Sequence, residues 1–148
     1  MAVTYKTIWK NILDKLVSVM KADFKNSCQV VVGDEQTHSS NYVRLIPVSD
    51  ELLGYTVSSE EREYQIKLMY FYDTKIITGN AQLHAIDFSE RIKALISKNK
   101  NMTLDVNNGD SSRAVNCRIR KTLLDVEIDD GISAVEMDWL CTHVGNII

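Results

Sequence analysis

One ten-residue stretch organises this chain, and it reads Glu63-Tyr64-Gln65-Ile66-Lys67-Leu68-Met69-Tyr70-Phe71-Tyr72. Apolar and aromatic side chains occupy every second position of it, and a period of two is the pattern of a β-strand. Towards its end, Met69 and Phe71 make the other face apolar as well. A strand that is apolar on both faces is usually covered on both sides, so we predict that it is central in its sheet.

Two other segments carry apolar residues at steps of three and four, the spacing of an amphipathic helix. The first helix is predicted over residues 5–21, with Thr4 as its N-cap. The second is predicted over residues 81–97, after a cluster of helix-starting residues at 78–80. Lysines off the apolar stripe of the first helix form a candidate basic face, most simply a solvated one: Lys6, Lys10, Lys15 and Lys21.

Two strands are predicted before the central one, at residues 28–32 and 42–48, and Pro47 indicates a sheet edge or a bulge. Residues 49–62 are predicted to form a long connection, and such loops in compact domains are often functional or mobile. Its apolar side chains need a surface to cover, on this chain or on a neighbour. They form a candidate subunit-contact loop: Leu52, Leu53, Tyr55 and Val57.

The last third of the chain is predicted to be a long hairpin, because Asp130-Gly131 is a preferred pair for a two-residue type I′ turn. The apolar positions change from odd to even along its first strand, which predicts a bulge between Arg120 and Leu123. With that turn, the core face of the hairpin would carry Leu124, Val126, Ile128, Val135, Met137 and Trp139.

The opposite face of the hairpin would be acidic, with Asp125 directly across from Glu136. Opposed like charges destabilise a strand pair, so these carboxylates need water, cations or a function. Two interpretations stay open: a solvated outer face, which is the usual role of a charge run, or an assembly surface or channel wall that repels a polyanion. Its sign excludes nucleic-acid binding through it. The candidate acidic face comprises Asp125, Glu127, Asp129, Glu136 and Asp138.

The composition bounds the class of protein. The 148 residues are 45% hydrophobic and 25% charged, which predicts one ordinary soluble globular domain over residues 1–148. No apolar run reaches the length of a membrane span, and the N-terminus has no apolar leader of a signal peptide. Three widely spaced cysteines, Cys28, Cys117 and Cys141, are typical of buried thiols in a reducing cytoplasm.

No catalytic motif is recognisable, so we expect neither enzymatic activity nor a cofactor. The arrangement nearest to a nucleophile with its base is Cys141-Thr142-His143, and a buried cysteine beside a surface histidine explains it more simply. His38 and His84 have no partner at metal-ligand spacing, so no metal site is expected.

The predicted order is α-β-β-β-α-β-β, an α+β fold with two helices packed on a mainly antiparallel sheet and a long C-terminal hairpin. In this order, with the central strand, the apolar second helix and a closing Val135-Glu136-Met137-Asp138-Trp139, the chain resembles the tail terminator (tail-completion or neck) proteins of tailed bacteriophages. The resemblance is one of layout, and it covers nearly the whole length.

The resemblance implies a structural virion protein that forms a hexameric ring at the head-proximal end of the tail. Such a ring ends polymerisation of the tail tube, contacts the head-completion protein and leaves a channel through which DNA passes without specific binding. It implies assembly in the host cytoplasm, with no membrane partner, catalytic residue or cofactor. A basic helix and an acidic hairpin on one subunit could meet head to tail in such a ring. The competing hypotheses are a cytoplasmic ligand-binding or regulatory module, and a small enzyme.

Overall fold

The computed structural model describes residues 2–3, 5–57, 59–77, 79–104, 112–129 and 131–145, except for the side chain of Asp125. In chain order the elements are α1 (Ile8–Phe24), β1 (Gln29–Val32), β2 (Tyr42–Tyr55), β3 (Glu60–Asp73), α2 (Ala81–Lys98), β4 (Met102–Thr103), β5 (Arg113–Asp129) and β6 (Ile132–Gly145). The predicted α+β fold is confirmed. The predicted Thr4 cap, and Asp130 of the predicted turn, lie outside the described residues.

The strands form one six-stranded sheet in the order β1-β2-β3-β6-β5-β4, in which β1 pairs with β2 in parallel and all other pairs are antiparallel. The strand predicted to be central, β3, is paired along its length on both sides. Its even-numbered side chains are buried in one core with both helices: Tyr64, Ile66, Leu68, Tyr70 and Tyr72. We call this side of the sheet the helix face.

The other side of the sheet, the open face, has no helix over it in the part of the chain that is described. Met69 and Phe71 on this side are only half-buried, and Phe71 stacks on Tyr42 of the neighbouring strand at 4.8 Å between ring centroids. The expectation that both faces of β3 are covered is therefore wrong. Neighbouring side chains in the sheet give these two residues the shelter that a second layer was expected to supply.

The helices follow their predicted stripes. The apolar stripe of α1 is buried, but the helix begins at Ile8 with Thr7 at the N-cap position, so Lys6 precedes it. Helix α2 begins after Asn80, whose side chain accepts hydrogen bonds from the backbone N–H groups of Gln82 and Leu83. Stacking of Phe24 on Phe88 and of Phe88 on Tyr70 joins the two helices to the sheet.

The predicted connection at residues 49–62 is a β-hairpin instead. Strand β2 continues to Tyr55, β3 begins at Glu60, and Thr56 N donates to Ser59 O at 2.8 Å in the turn between them. The register of β2 shifts between Pro47 and Ser49 and again between Leu52 and Gly54, so Pro47 does mark a bulge. These bulges interrupt the alternation of side chains, which hides the strand from a reading of period alone.

The long hairpin of β5 and β6 exists, but its predicted register holds only beside the turn, where Asp129 lies opposite Ile132. Four register shifts follow, and two of them flank the predicted position, at Ile119/Lys121 and Leu123/Val126. Val135, Met137 and Trp139 are buried as predicted. Their partners on β5 differ from the prediction, since Met137 faces Thr122 and Trp139 faces Ile119. The predicted burial of the β5 side chains is wrong. Leu124 and Ile128 are exposed, and Val126 is half-buried opposite Ala134.

Candidate functional site

The distal half of the β2–β3 hairpin is the most exposed apolar part of the sheet. We call its five exposed side chains the apolar arm: Val48, Leu52, Leu53, Tyr55 and Val57. Tyr55 is 77% exposed and Leu53 is 52% exposed. Four of these residues are the candidate subunit-contact loop of the sequence analysis, now placed on a paired strand and its turn. Exposed apolar side chains concentrated in one segment are a feature of surfaces that contact other proteins.

Polar contacts tie the arm to the start of α1. Trp9 Nε1 donates to Asp50 Oδ2 at 2.9 Å, and Arg62 Nη1 donates to Asp50 Oδ1 at 2.9 Å. Arg62 Nε also donates to Glu60 Oε2 at 2.8 Å. The Trp9 ring packs edge-on against Tyr64 at 4.9 Å between centroids. The arm is therefore a braced strand pair, in contrast to the long connecting loop that was predicted.

A groove of about 590 Å³ lies between the β2–β3 hairpin and the residues around the start of α1. Its lining combines aromatic rings with charges, including Tyr5, Trp9, Asp50, Arg62 and Tyr64. Burial, and next the charge of Asp50, raises the pKa of Tyr64 to about 12, so its hydroxyl is neutral at physiological pH. Another groove, of about 620 Å³, is lined mainly by polar side chains such as Lys21, Lys25 and Glu35.

Ion pairs cross the open face of the sheet. Lys67 Nζ lies 2.5 Å from Glu136 Oε1, and the pKa of Lys67 is raised by its hydrogen bond to Glu136. Arg120 Nη2 of β5 pairs with Asp138 Oδ2 of the adjacent strand β6 at 3.2 Å, and Arg118 Nη2 of β5 reaches across β6 to Glu63 Oε2 of β3 at 3.0 Å. Both acidic residues of β6 on this face are thus matched by cations of β3 and β5.

The prediction of one acidic face is wrong, because its described residues do not share one face of the sheet. Leu123, rather than Asp125, lies opposite Glu136. Glu127 lies opposite Ser133, which pairs with Tyr72 of the helix face, whereas Asp129 lies at the turn end of the open face. The bulges of β5 are the cause, since each extra residue turns the following side chains to the opposite side of the sheet.

The candidate basic face is also divided. Lys10 and Lys21 are exposed and lie about three turns apart on one side of α1, where Lys10 pairs with Asp14 at 2.6 Å. Lys15 is half-buried on another side of the helix, and Lys6 lies ahead of the helix, where its charge acts on His143. These four lysines do not form one continuous surface.

The residues of the Cys141-Thr142-His143 segment are buried in the core. His143 is 1% exposed, so the prediction that it lies at the surface is wrong. Its Nε2 lies 2.7 Å from Ser112 Oγ. Burial, and next the charge of Lys6, lowers the pKa of His143. Cys141 is buried as predicted, and a hydrogen bond with Cys117 together with burial raises its pKa. Sequence periodicity carries no signal for the contact of Ser112, just before β5, with His143 of β6, because the two residues are 31 positions apart in the chain.

The other two histidines are separate. His84 Nε2 lies 2.9 Å from the Tyr70 hydroxyl beside α2, and His38 is exposed in the loop after β1. Within the described ranges, no group of three or more His, Cys, Asp or Glu side chains is placed to hold a metal ion. Neither described helix is long and apolar enough to cross a membrane.

A scan against models of known protein families finds no match for this chain, and a search of curated proteins finds no match either.

Proposed function

We propose that this protein is a structural subunit of a ring at the head-proximal end of a bacteriophage tail, in the role of a tail terminator or neck protein. The proposed class of protein comes from the resemblance in the order of elements and in the side-chain pattern of the central strand and the closing hairpin. The observation that carries an assembly role is the apolar arm, five exposed apolar side chains on a strand pair that Trp9 and Arg62 brace. A braced apolar surface loses little conformational entropy when a partner covers it.

The charge pattern of the open face supports a surface past which DNA can move. Three of its cations, Lys67, Arg118 and Arg120, are each matched by a carboxylate within hydrogen-bond distance, whereas Lys121 of β5 has no such partner among the described residues. Binding to DNA is driven by cations that replace the counterions of phosphates, and cations already paired within the protein gain less from it. A channel wall with this pattern would neither hold nor strongly repel a DNA duplex.

In this role the subunits assemble with copies of themselves, end polymerisation of the tail tube protein and join the tube to the head-completion protein. The first test is the mass of the purified protein by light scattering over a hundredfold range of concentration, followed by negative-stain images. We expect a closed ring, of six subunits, with a central opening. The ring should also cap tubes when it is added to polymerising tail tube protein.

A matched pair of variants tests the arm. Tyr55→Ser removes an exposed aromatic ring from the arm and should lower the fraction of subunits in rings, whereas Leu83→Ser removes a side chain of 62% exposure from α2 and should not. A wild-type protein that is monomeric at every concentration and does not cap tubes would refute the proposal. A small molecule that raises the melting temperature of such a monomer would favour the ligand-binding module instead.

A further inference from the structure

The sheet has two long open edges, one on each side. On one side β1 covers β2 only from Tyr42 to Leu45, so residues 46–55, the β2 edge, have no strand beyond them among the described residues. On the other side β4 pairs only with Arg113 and Ala114, and Lys100 O accepts from Cys117 N. Residues 118–129, the β5 edge, then continue with no described strand beyond them. The unpaired N–H and C=O groups of such edges are templates for another strand.

The directions of the two edges are complementary. The strand pairs β2–β3, β3–β6 and β6–β5 are all antiparallel, so β2 and β5 run in opposite directions in the same sheet. A second copy that is related by rotation about an axis along the strands keeps the direction of each strand. The β5 edge of one copy would therefore meet the β2 edge of the next as an antiparallel pair, with the two open faces continuous.

The positions of the two edges imply a stagger. The β2 edge lies beside the end of β3 that pairs with residues 139–145 of β6, whereas the β5 edge lies beside residues 132–140 of β6. Pairing of the two edges displaces each copy along the strand direction relative to the previous one. A stagger of this kind closes into a ring only when the strands tilt relative to the ring axis, as they do in a closed barrel, so the inferred ring has tilted strands.

The side chains of the edges also match. Both edges expose apolar residues, among them Leu53 (52% exposed) on the β2 edge and Leu124 (41%) on the β5 edge. On the open face, Glu51 of the β2 edge and Lys121 of the β5 edge have no ion-pair partner within the described part of the chain. A contact between two β2 edges would bring two Glu51 carboxylates together, whereas a β2–β5 contact brings Glu51 and Lys121 to neighbouring edges.

We infer that the β5 edge of one copy of this chain binds the β2 edge of the next copy, which extends the sheet from subunit to subunit. This inference rests on the proposed function, because it names the contact by which the ring forms. The contact is heterologous: two different surfaces meet, and each copy uses both. All residues of the apolar arm except Val57 then belong to the β2 edge, and the backbone of β2 supplies the hydrogen bonds.

Two variants test the inference, each of which puts a lysine on one edge. Leu53→Lys blocks the β2 edge, Leu124→Lys blocks the β5 edge, and Leu83→Lys on α2 is the control. Leu53 and Leu124 both lie in register shifts and are exposed, so folding should persist, as checked by circular dichroism and melting temperature. A second pair, Leu52→Lys and Ile128→Lys, serves if either of the first two variants is unfolded.

Each edge variant alone should be monomeric by light scattering, while Leu83→Lys forms the wild-type ring. An equimolar mixture of the two edge variants should give a dimer of one copy of each, because one intact β2 edge meets one intact β5 edge and no further contact is possible. Wild-type rings that persist in both edge variants would overturn the inference and leave the proposed function standing. Self-association of only one edge variant would overturn it in favour of a contact between like edges. A wild type that is monomeric at every concentration and does not cap tubes would end both proposals.

Discussion

Trp9 Nε1 donates a hydrogen bond to Asp50 Oδ2 at 2.9 Å and so joins the first turn of α1 to the exposed half of β2, 41 residues further along the chain. Arg62 Nη1 occupies the other oxygen of the same carboxylate at 2.9 Å. Asp50 therefore has a partner at each oxygen, one from the helix and one from the neighbouring strand. This carboxylate fixes the apolar arm relative to the core.

Replacement of Trp9 by phenylalanine should loosen the arm. Trp9→Phe keeps an aromatic ring against Tyr64 but removes the donor to Asp50, so we expect a loss of about 1 kcal/mol in the free energy of unfolding. Amide hydrogen exchange should become faster in residues 48–55 and stay unchanged in β6. Tyr5→Phe, at a residue 73% exposed, is the control. Unchanged exchange in the arm would show that the hydrogen bond does not brace it.

Trp139 should be a large contributor to stability. Its side chain is fully buried, so Trp139→Ala should cost about 3–5 kcal/mol in the free energy of unfolding, measured by urea denaturation. Trp139→Phe should cost clearly less, because the indole Nε1 has no hydrogen-bond partner among the described residues and its loss leaves none of their acceptors unsatisfied. Equal losses for the two variants would contradict this account of the site.

His143 should make stability fall in weak acid. Its pKa in the folded protein lies below the ordinary value of 6.5, so the unfolded chain binds more protons as the pH falls through that value. The free energy of unfolding should therefore be highest above pH 7, decrease as the pH is lowered through about 6.5, and level off below the folded pKa.

The matched variants for this prediction are His143→Gln and His38→Gln. The first should reduce the slope between pH 7 and pH 5, whereas the second, at an exposed histidine, should keep the wild-type slope. His143→Gln should also lower stability at pH 8 by about 1–3 kcal/mol if glutamine does not restore the contact with Ser112. An unchanged slope in His143→Gln would assign the pH dependence to other groups.

Charge reversal should separate two acidic residues that the sequence grouped together. Asp138→Lys places a cation beside Arg120 and near Lys67, so we expect a loss of roughly 1–2 kcal/mol in stability, reduced by salt. Glu127→Lys changes an exposed side chain opposite Ser133 and should stay within about 0.5 kcal/mol of wild type. Equal changes in stability for the two variants would favour one acidic face, in contrast to the two separate positions seen in the structure.

The three cysteines should react slowly in the native protein. All are buried, and burial raises the pKa of Cys28 to about 11, which leaves about one thiol in a thousand as thiolate at pH 8. Ellman's reagent should detect no rapidly reacting thiol in the native state and all three in denaturant. Rapid labelling of Cys141 in the native protein, located by mass spectrometry, would contradict its burial.

The elements whose pattern is local could be predicted from the amino-acid sequence. The alternation in β3 and the stripes of the two helices follow from side chains a few residues apart, and burial of one face of each element is enough to fix them. For the same reason Asn80, Val135, Met137 and Trp139 were placed correctly. Local chemistry also indicated the bulge at Pro47, since proline cannot donate a ladder hydrogen bond.

Features that depend on a partner strand, such as the extent of β2 and the register of β5, appear only in the folded structure. Residues 49–55 extend β2 because β3 pairs with them across two bulges, and no alternation in β2 alone indicates this. Four register shifts in β5 turn Leu124 outward and place Leu123 opposite Glu136, and a count of residues from the turn cannot include them. The ion pairs of Glu136 and Asp138 with Lys67 and Arg120 join residues far apart in the chain. A bulge has a small local free-energy cost, but it turns every following side chain to the opposite face of the sheet. The surface residues of this protein therefore depend on strand pairing, whereas its core residues follow from the periodicity of the sequence.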